Sequence, residues 1–306
     1  MKKILVLVGP TCSGKTHLSI HIGKLLDGEI ISADSRQVYR FMDIGTAKPS
    51  KAQLETVPHH FIDILDPDQE YNAGRFGAEA RKTVSEILSR KRVPIVVGGS
   101  GLYVEALIDG FFNGPPADPE FREIHYARYK SEGGEVLLNE LRKIDPVAAL
   151  KMLPSNSRRI VRALEVFHTT GRPISEHQST NDPIGMESLF IGLEWDRKIL
   201  YERINRRVDL MLESGLVEEV KQVEKRGFMR TMNALQTVGY KEVFQYLYGE
   251  MTYDQMDEWT KRNSRRYAKR QLTWFRPDKR IQWIGMDETT DAEKVAEKIV
   301  GKFLET

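Results

Sequence analysis

The amino-acid sequence predicts an α/β fold in which a parallel sheet is wrapped by helices, with a mainly helical insertion and a helical C-terminal region. Short runs rich in β-branched residues alternate with helical patterns over the N-terminal third of the chain, as in chains that form parallel sheets. Two of these runs, ILVLV and PIVV, lack polar alternation, which indicates strands buried on both faces. A long segment of helical texture then precedes a further apolar run.

Each element is predicted from the periodicity of the apolar residues along the chain, which differs between strands and helices. The strands of the N-terminal region are predicted at Ile4–Val8, Glu29–Ser32, His60–Ile64 and Pro94–Val97, and the helices between them at Thr16–Leu26 and Gly74–Arg90. Later strands are predicted at Ser188–Leu193 and Ile281–Ile284, and later helices at 196–213, 215–226, 239–248, 253–275 and 291–304.

The domain organisation is predicted from a change of texture near Gly114-Pro115-Pro116. Residues 115–187 are helical in pattern and are broken by prolines and a Gly-Gly pair. We therefore expect a helical insertion domain at 115–187 within a core domain made of 1–114 and 188–306.

The composition of the chain indicates the cellular compartment of the protein. The 306 residues carry a net charge of only +2, and no apolar run approaches the roughly 20 residues that a membrane helix needs. The single cysteine, Cys12, excludes an internal disulfide and a cysteine-clustered zinc site. The expectation is a cytoplasmic protein without membrane association, and a monomer because no coiled-coil seam is present.

The most specific motif lies between the first predicted strand and helix. Gly9-Pro10-Thr11-Cys12-Ser13-Gly14-Lys15-Thr16 matches G-x4-G-K-[ST], a loop whose N–H groups, helix N-terminus and lysine bind a polyphosphate and whose last hydroxyl binds Mg²⁺. A kinase would also carry an aspartate at the end of an apolar strand. The run PIVV ends instead in Gly98-Gly99-Ser100-Gly101, which weakens an ATP-dependent reaction without excluding it.

A second candidate is Asp34, which follows the second predicted strand. The carboxyl end of a strand is where ligands bind in open α/β sheets, so Asp34 is interpreted as a metal ligand or a general base. An ordinary N-cap is the alternative. The neighbouring His59-His60 pair is interpreted as structural, because it lacks spaced acidic or cysteine partners.

The C-terminal region contains a strongly basic stretch. Residues 261–276 hold seven Lys or Arg and no acid, a pattern that favours a helix lying along RNA phosphates over a solvated helix face. The aromatic residues of this stretch, Tyr267, Trp274 and Phe275, are expected in the core in either case.

Seven segments together resemble the tRNA dimethylallyltransferase (isopentenyltransferase) family. In family order they are GPTCSGKT, SADSRQVYRFMDIGTAKP, VGGSGLYVEAL, RRIVRALEVFHTTGRPIS, RINRRVDLMLESGLVEEV, ALQTVGYKEV and AKRQLTWFR, and they span residues 9–276. Cys12 and Ser100 replace the usual Ala and Thr of the family, which changes size little and keeps the hydroxyl at Ser100.

The resemblance implies a P-loop NTPase-like core and a defined reaction. The dimethylallyl group of dimethylallyl pyrophosphate is transferred to N6 of the adenosine 3′ of the anticodon in tRNA, and pyrophosphate is released with Mg²⁺ as cofactor. Residues Gly9 to Thr16 would hold the pyrophosphate and Thr16 the metal. Asp34 would be the general base, and Arg207 and Thr11 further catalytic residues.

The resemblance and the basic stretch also imply an RNA-binding set with the anticodon stem-loop as partner. Its members are Asp34, Ser35, Arg36, Gln37, Ser100, Arg122, Arg158, Arg159, Arg162, Gly239, Tyr240, Lys269 and Arg270. Three alternatives remain open from the residues alone: prenylation of free adenine nucleotides, an ATP-dependent small-molecule kinase, and a role restricted to RNA binding.

Overall fold

The computed structural model describes residues 3–111, 114–178 and 182–305. The chain divides into two compact units, one made of Met1–Leu107 with Gly185–Thr306 and the other of Ile108–Ile184. We propose that the second unit corresponds to the helical insertion expected at 115–187.

The first unit is built on a six-stranded sheet in which every pairing is parallel. Its strands are β1 (Lys3–Val8), β2 (Gly28–Ser32), β3 (His59–His60), β4 (Val93–Gly98), β5 (Glu187–Trp195) and β6 (Ile281–Met286), in the order β3-β2-β4-β1-β5-β6. The predicted α/β fold with a parallel sheet is confirmed.

One predicted strand is too long. The predicted strand from His60 to Ile64 belongs to the sheet only at His60, since β3 is His59–His60. It ends there because Phe61 and Asp63 adopt φ angles of 66° and 55°. Those left-handed conformations cannot continue an extended strand. The apolar character of this run reflects the burial of Phe61 against the core rather than sheet pairing.

Helices surround the sheet in the first unit. They are α1 (Lys15–Leu25), α2 (Lys51–Thr56), α3 (Ala73–Ser89), α4 (Gly101–Ile108), α10 (Arg197–Glu213), α11 (Leu216–Lys225), α12 (Tyr240–Leu247), α13 (Tyr253–Phe275) and α14 (Ala292–Glu305). The sequence pattern did not predict α2 and α4, although Ser50 and Gln53 form a capping box that marks the start of α2.

The core explains why the central strands read as unbroken apolar runs. All six residues of β1 are buried, and α1 packs beside α14 on one face of the sheet. Leu5 and Ile95 there share a cluster with Ile22, Ile299 and Phe303. This burial on both faces holds the loop after β1 on a rigid base.

The second unit consists of five helices with a core of its own. They are α5 (Pro119–Glu132), α6 (Gly134–Ile144), α7 (Pro146–Ala149), α8 (Ser157–Thr170) and α9 (Ile174–Gln178), and their apolar sides meet around Leu137, Leu141 and Ile160. Across both units, none of the described helices is long and apolar enough to span a bilayer.

Candidate active site

The phosphate loop joins β1 to α1 and is wrapped around its own lysine. Cys12 and Gly14 take positive φ angles of 64° and 93°, which turn successive N–H groups toward one side as in an anion-binding nest. The Lys15 ammonium donates to the carbonyls of Gly9 (2.9 Å) and Pro10 (2.7 Å). Burial and the Arg207 guanidinium lower the pKa of Lys15 to about 8.

Two arginines of α10 hold the loop from one side. Arg207 donates to the Thr11 hydroxyl (2.9 Å) and lies 3.5 Å from the Cys12 sulfur. Arg203 donates to the Cys12 carbonyl (3.1 Å) and stacks 4.0 Å from the centre of the Trp195 ring. Arg203 was missed in the sequence, although its i, i+4 spacing from Arg207 places both on one helix face.

Trp195 and Gln271 are further contacts that sequence reasoning missed. The Trp195 indole donates to the Ser13 carbonyl (3.0 Å). The Gln271 carboxamide of α13 accepts from the Thr11 N–H (2.8 Å) and donates to the Gly99 carbonyl (3.0 Å). No phosphate-loop motif includes partners so distant in sequence.

Asp34 fulfils the capping alternative and still borders the open site. Its Oδ1 accepts from the N–H groups of Arg36 (2.8 Å) and Gln37 (3.4 Å), so it caps the turn after β2. The same carboxylate lines the cavity that contains Lys15, and its charge acts on that ammonium. The position therefore supports both interpretations at once.

A hydroxyl cluster lies beside Asp34. Ser100 accepts from the Ser35 N–H (3.2 Å), and the Tyr267 hydroxyl lies near enough to Ser100 to interact with it. Burial and the Asp34 charge raise the pKa of Tyr267 to about 12. The expectation that the α13 aromatics lie in the core is confirmed for Phe275, but Tyr267 lines the cavity and Trp274 is 46% exposed.

These groups surround one cavity of about 1040 Å³. The predicted site residues among its lining are Thr11, Cys12, Ser13, Gly14, Lys15, Thr16, Asp34, Ser35, Arg36, Gln37, Arg207, Gly239 and Arg270. The fold thus brings the loop, the second-strand acid and the α10 arginine to one place.

Three glycines at the end of β4 allow the surrounding elements to approach. A Cβ at Gly98 would lie 2.1 Å from the Ala33 carbonyl oxygen. A Cβ at Gly99 would lie 2.0 Å from the Gln271 amide nitrogen, and one at Gly101 would lie 2.0 Å from the Trp274 ring. The segment is therefore a docking surface for β2 and α13.

Two predicted RNA-binding residues are engaged inside the protein. The Gln37 carboxamide accepts from the Ser32 hydroxyl and donates to the Thr46 and Ala47 carbonyls. Tyr240 is fully buried and donates to Glu219. The expected RNA contact of the Val238-Gly239-Tyr240 turn stays a prediction, and it would not involve the Tyr240 side chain, because that side chain is inaccessible. Its role is to fix the turn that begins at Gly239.

The predicted arginines of the second unit fall into two groups. Arg122 and Arg162 both bind the buried Glu165 carboxylate, at 2.7 Å and 2.6 Å, so part of their charge is neutralised. Arg158 and Arg159, on the first turn of α8, are exposed. Only the second pair presents fully accessible cations.

The basic stretch of α13 is divided in the same way. Lys261 pairs with Asp209 and Asp257, and Arg276 pairs with Glu194. Lys269 and Arg270 are exposed on the helix. Arg266 is exposed as well, so the exposed cations of this stretch lie in the C-terminal half of α13, which also contacts the phosphate loop through Gln271.

Both members of the histidine pair have hydrogen-bond partners within the protein, and His59 also lines the cavity. His60 binds Glu29 (2.7 Å) and His59 binds the Val57 carbonyl (2.7 Å). Among the residues that the structure describes, no group of three or more His, Cys, Asp or Glu side chains is placed to hold a metal.

Comparison with known proteins decides the family. The model of the IPP transferase family matches residues 37–278. The chain is 46% identical over 302 residues to a tRNA dimethylallyltransferase of Acetivibrio thermocellus, covering 98% of this chain and 96% of the relative. It is 48% identical over 303 residues to that of Carboxydothermus hydrogenoformans, with the same coverage of both.

The chain belongs to the IPP transferase family.

Solved structures of IPP transferases agree with this assignment. The crystal structure of the full-length tRNA isopentenylpyrophosphate transferase of Bacillus halodurans is 43% identical, with a TM-score of 0.74 over 100% of this chain and 98% of that one. A eukaryotic dimethylallyltransferase acting on tRNA is 30% identical, with a TM-score of 0.83 over 100% of this chain and 80% of that one. The predicted family and P-loop core are confirmed.

Proposed function

We propose that the protein transfers the dimethylallyl group of dimethylallyl pyrophosphate to N6 of the adenosine 3′ of the anticodon in tRNA, and releases pyrophosphate. The observation that carries this proposal is that a phosphate-binding loop and a carboxylate line the same cavity. The phosphate loop offers an anion site, and the Asp34 carboxylate lies at its edge.

The donor end of the cavity suits a leaving pyrophosphate. Negative charge grows on the pyrophosphate as the allylic C–O bond breaks, and preorganised donors in a partly closed site stabilise that charge. Lys15 and Arg207 supply two cations there, and Arg207 also orients the Thr11 hydroxyl. Lys15 donates to the loop carbonyls of Gly9 and Pro10, and we infer that it turns toward the pyrophosphate when the donor binds.

Magnesium suits the same end of the cavity. Mg²⁺ prefers oxygen ligands and is commonly held by substrate phosphates with few protein groups. Thr16 lines the cavity beside Lys15, and we propose its hydroxyl as a ligand. The metal would supply further positive charge to the leaving group.

The acceptor end suits an aromatic amine. The adenine amino group is a weak nucleophile, and a carboxylate within hydrogen-bond reach removes its proton as the C–N bond forms. Asp34 retains Oδ2 for this role while Oδ1 holds the turn. The adenine must leave its stack of neighbouring nucleobases to reach Asp34, and this unstacking costs the least free energy in a single-stranded loop. This favours an anticodon loop as the substrate.

The accessible cations support the RNA assignment. Lys269 and Arg270 of α13, with Arg158 and Arg159 of α8, are exposed and are proposed to bind phosphates. An enzyme for free adenine nucleotides would need neither set. A kinase is disfavoured because β4 ends in glycines instead of an acid.

Incubation with labelled dimethylallyl pyrophosphate, Mg²⁺ and an unmodified anticodon stem-loop tests the proposal. Nucleoside mass spectrometry should find an isopentenyl group on the adenosine 3′ of the anticodon, with stoichiometric release of pyrophosphate. A stem-loop with guanosine at that position is the matched control. Equal or faster prenylation of free AMP, or no alkylated nucleoside at all, would contradict it.

A further inference from the structure

One face of α13 lines the active-site cavity with polar side chains. Thr260, Ser264, Tyr267 and Gln271 follow each other at helical spacing and all border the cavity. Phosphate-loop chemistry alone would not require such a face. The α13 helix therefore lines the active-site cavity and also presents exposed basic residues.

Gln271 makes the most specific contacts of this face. It is 6% exposed, and both ends of its carboxamide are used. The oxygen accepts from the Thr11 N–H and the nitrogen donates to the Gly99 carbonyl, at 2.8 and 3.0 Å. Only an amide of this length satisfies a donor and an acceptor together. Glutamate would lose the donor, and methionine would lose both.

The contact also has a consequence for the loop itself. Thr11 is fixed twice, through its N–H by Gln271 and through its hydroxyl by Arg207. Its main-chain orientation thus depends on α13, and its side-chain orientation depends on α10. Without Gln271, the peptide plane between Pro10 and Thr11 would be held only through the Pro10 carbonyl, which accepts from Lys15 and from the Ser13 N–H. The Thr11 hydroxyl would then be less well oriented toward Arg207.

We propose that Gln271 is a positioning residue for the donor, which holds the Thr11 end of the phosphate loop and joins that loop to the RNA-binding helix. The inference rests on the proposed function, because the donor and the RNA are taken from it. Lys269 and Arg270 precede Gln271 directly on α13. RNA bound to these cations and pyrophosphate bound to the loop therefore act on one short segment, and each should change the affinity of the other by the same factor.

Two variants disrupt the contacts of Gln271, one by changing Gln271 itself and one by changing its neighbour Gly99. Gln271→Met keeps the length of the side chain without its polar atoms. Gly99→Ala leaves Gln271 in place but inserts a methyl group 2.0 Å from its amide nitrogen. Thr273→Ala is the matched control on the same helix, because Thr273 is exposed and its hydroxyl donates only to the Lys269 carbonyl.

Steady-state kinetics with a saturating stem-loop give the first test. Each variant should raise KM for dimethylallyl pyrophosphate by about tenfold, the change expected for one lost hydrogen bond. The Kd of the stem-loop without donor should stay within about twofold of wild type, and the double variant should resemble the worse single one. A wild-type KM for the donor in both variants, or weaker stem-loop binding with unchanged donor KM, would overturn the proposal.

The Kd of an unreactive stem-loop, with purine riboside at the target position, gives the second test. Saturating donor should change this Kd in wild type and in Thr273→Ala, but by less than twofold in Gln271→Met and Gly99→Ala. If saturating donor changes the Kd of the stem-loop in the two variants as much as in wild type, Gln271 does not couple the phosphate loop to the RNA-binding helix. Circular dichroism identifies variants that do not fold, and the folded one of the pair then decides. Failure of the proposed function itself is distinguishable, because wild type would then alkylate no stem-loop.

Discussion

At the scale of single residues, the Asp34 carboxylate holds a turn, and we propose that it also acts as the general base. Its Oδ1 caps the turn that carries Arg36 and Gln37, and its charge faces Lys15 and Tyr267. Because capping needs only an acceptor oxygen, whereas proton removal needs a base, the two tasks can be separated by substitution.

Asp34→Asn should keep the cap and lose the base. We expect kcat to fall by roughly 10²–10⁴-fold, with the stem-loop Kd within a few-fold of wild type and an unchanged Tm. Asp34→Ala should add a loss of about 1 kcal/mol of stability, because the cap is removed too. Single-turnover assays and thermal unfolding measure the two effects.

The control for this pair is Asp68→Asn, which changes an exposed carboxylate elsewhere in the first unit. Normal turnover by Asp34→Asn, or loss of RNA binding with normal chemistry, would remove Asp34 from the role of general base.

At the scale of elements, the phosphate loop has a built-in pH limit. The pKa of Lys15 is lowered to about 8, and the pyrophosphate of the proposed donor would bind the protonated ammonium. Donor affinity is therefore fully present well below pH 8 and is lost as the pH rises through and above 8. KM for the donor should be about twofold higher at pH 8 than at pH 7 and should rise toward tenfold per pH unit by pH 9.5.

Lys15→Arg supplies the control for this profile. An arginine keeps its charge throughout the range, so its KM, although higher, should vary little with pH. A wild-type KM that stays constant to pH 9.5 would show that Lys15 does not titrate there.

We expect only some of the cations of α13 to contribute to the salt dependence of stem-loop binding. The exposed Lys269 and Arg270 should bind phosphates, whereas Arg265 already donates to Asn205. Lys269→Gln with Arg270→Gln should weaken stem-loop binding and reduce the slope of log Kd against log salt by about 1.4, at about 0.7 for each single-stranded phosphate contact.

Fluorescence anisotropy of a labelled stem-loop across a salt series measures this slope. Lys294→Gln with Lys298→Gln removes the same charge from exposed positions of α14 and is the matched control. Equal slopes in the two double variants would exclude α13 from the phosphate interface.

Elements were more predictable from the sequence than the contacts between them. Period and motif located six strands and most helices of the first unit, together with the phosphate loop and Asp34, because these depend on local spacing. Gln271 and Trp195 reach the loop across large sequence separations. The burial of Tyr240 and the left-handed φ of Phe61 depend likewise on packing, which one sequence does not encode in its local pattern.

At the scale of the whole molecule, an ionic cluster fastens one edge of the sheet. Glu29 of β2 is 3% exposed and binds Arg90 after α3, His60 of β3 and Arg92 before β4. The hydrogen bond from Arg90 is the main cause that lowers the pKa of Glu29 to about 2. One carboxylate thus ties three sequence-distant segments together.

This cluster predicts an acid-dependent stability. The folded pKa of Glu29 is below its usual value near 4.5, so its contribution is present above pH 4.5 and is lost as the pH falls toward 2. Glu29→Gln should be less stable by about 2 kcal/mol at pH 7, and the difference from wild type should narrow between pH 4.5 and 2.

Urea unfolding at a series of pH values measures this difference. The control is Glu55→Gln, an exposed carboxylate on α2, which should match wild type throughout. A difference for Glu29→Gln that does not change with pH would assign the loss to packing instead of charge.

The crowding around Gly98 and Gly99 restricts which reactions this core can acquire by mutation. Nucleotide hydrolases of related architecture place an acid at the end of an apolar strand, but here even a methyl group would meet the Ala33 carbonyl or the Gln271 amide. A carboxylate at Gly98 would require the backbone after β2 to move, and one at Gly99 would displace the Gln271 carboxamide from the phosphate loop. A single acidic substitution at either position therefore disturbs the fold or the phosphate loop, and a screen for gained ATPase activity at both should recover none.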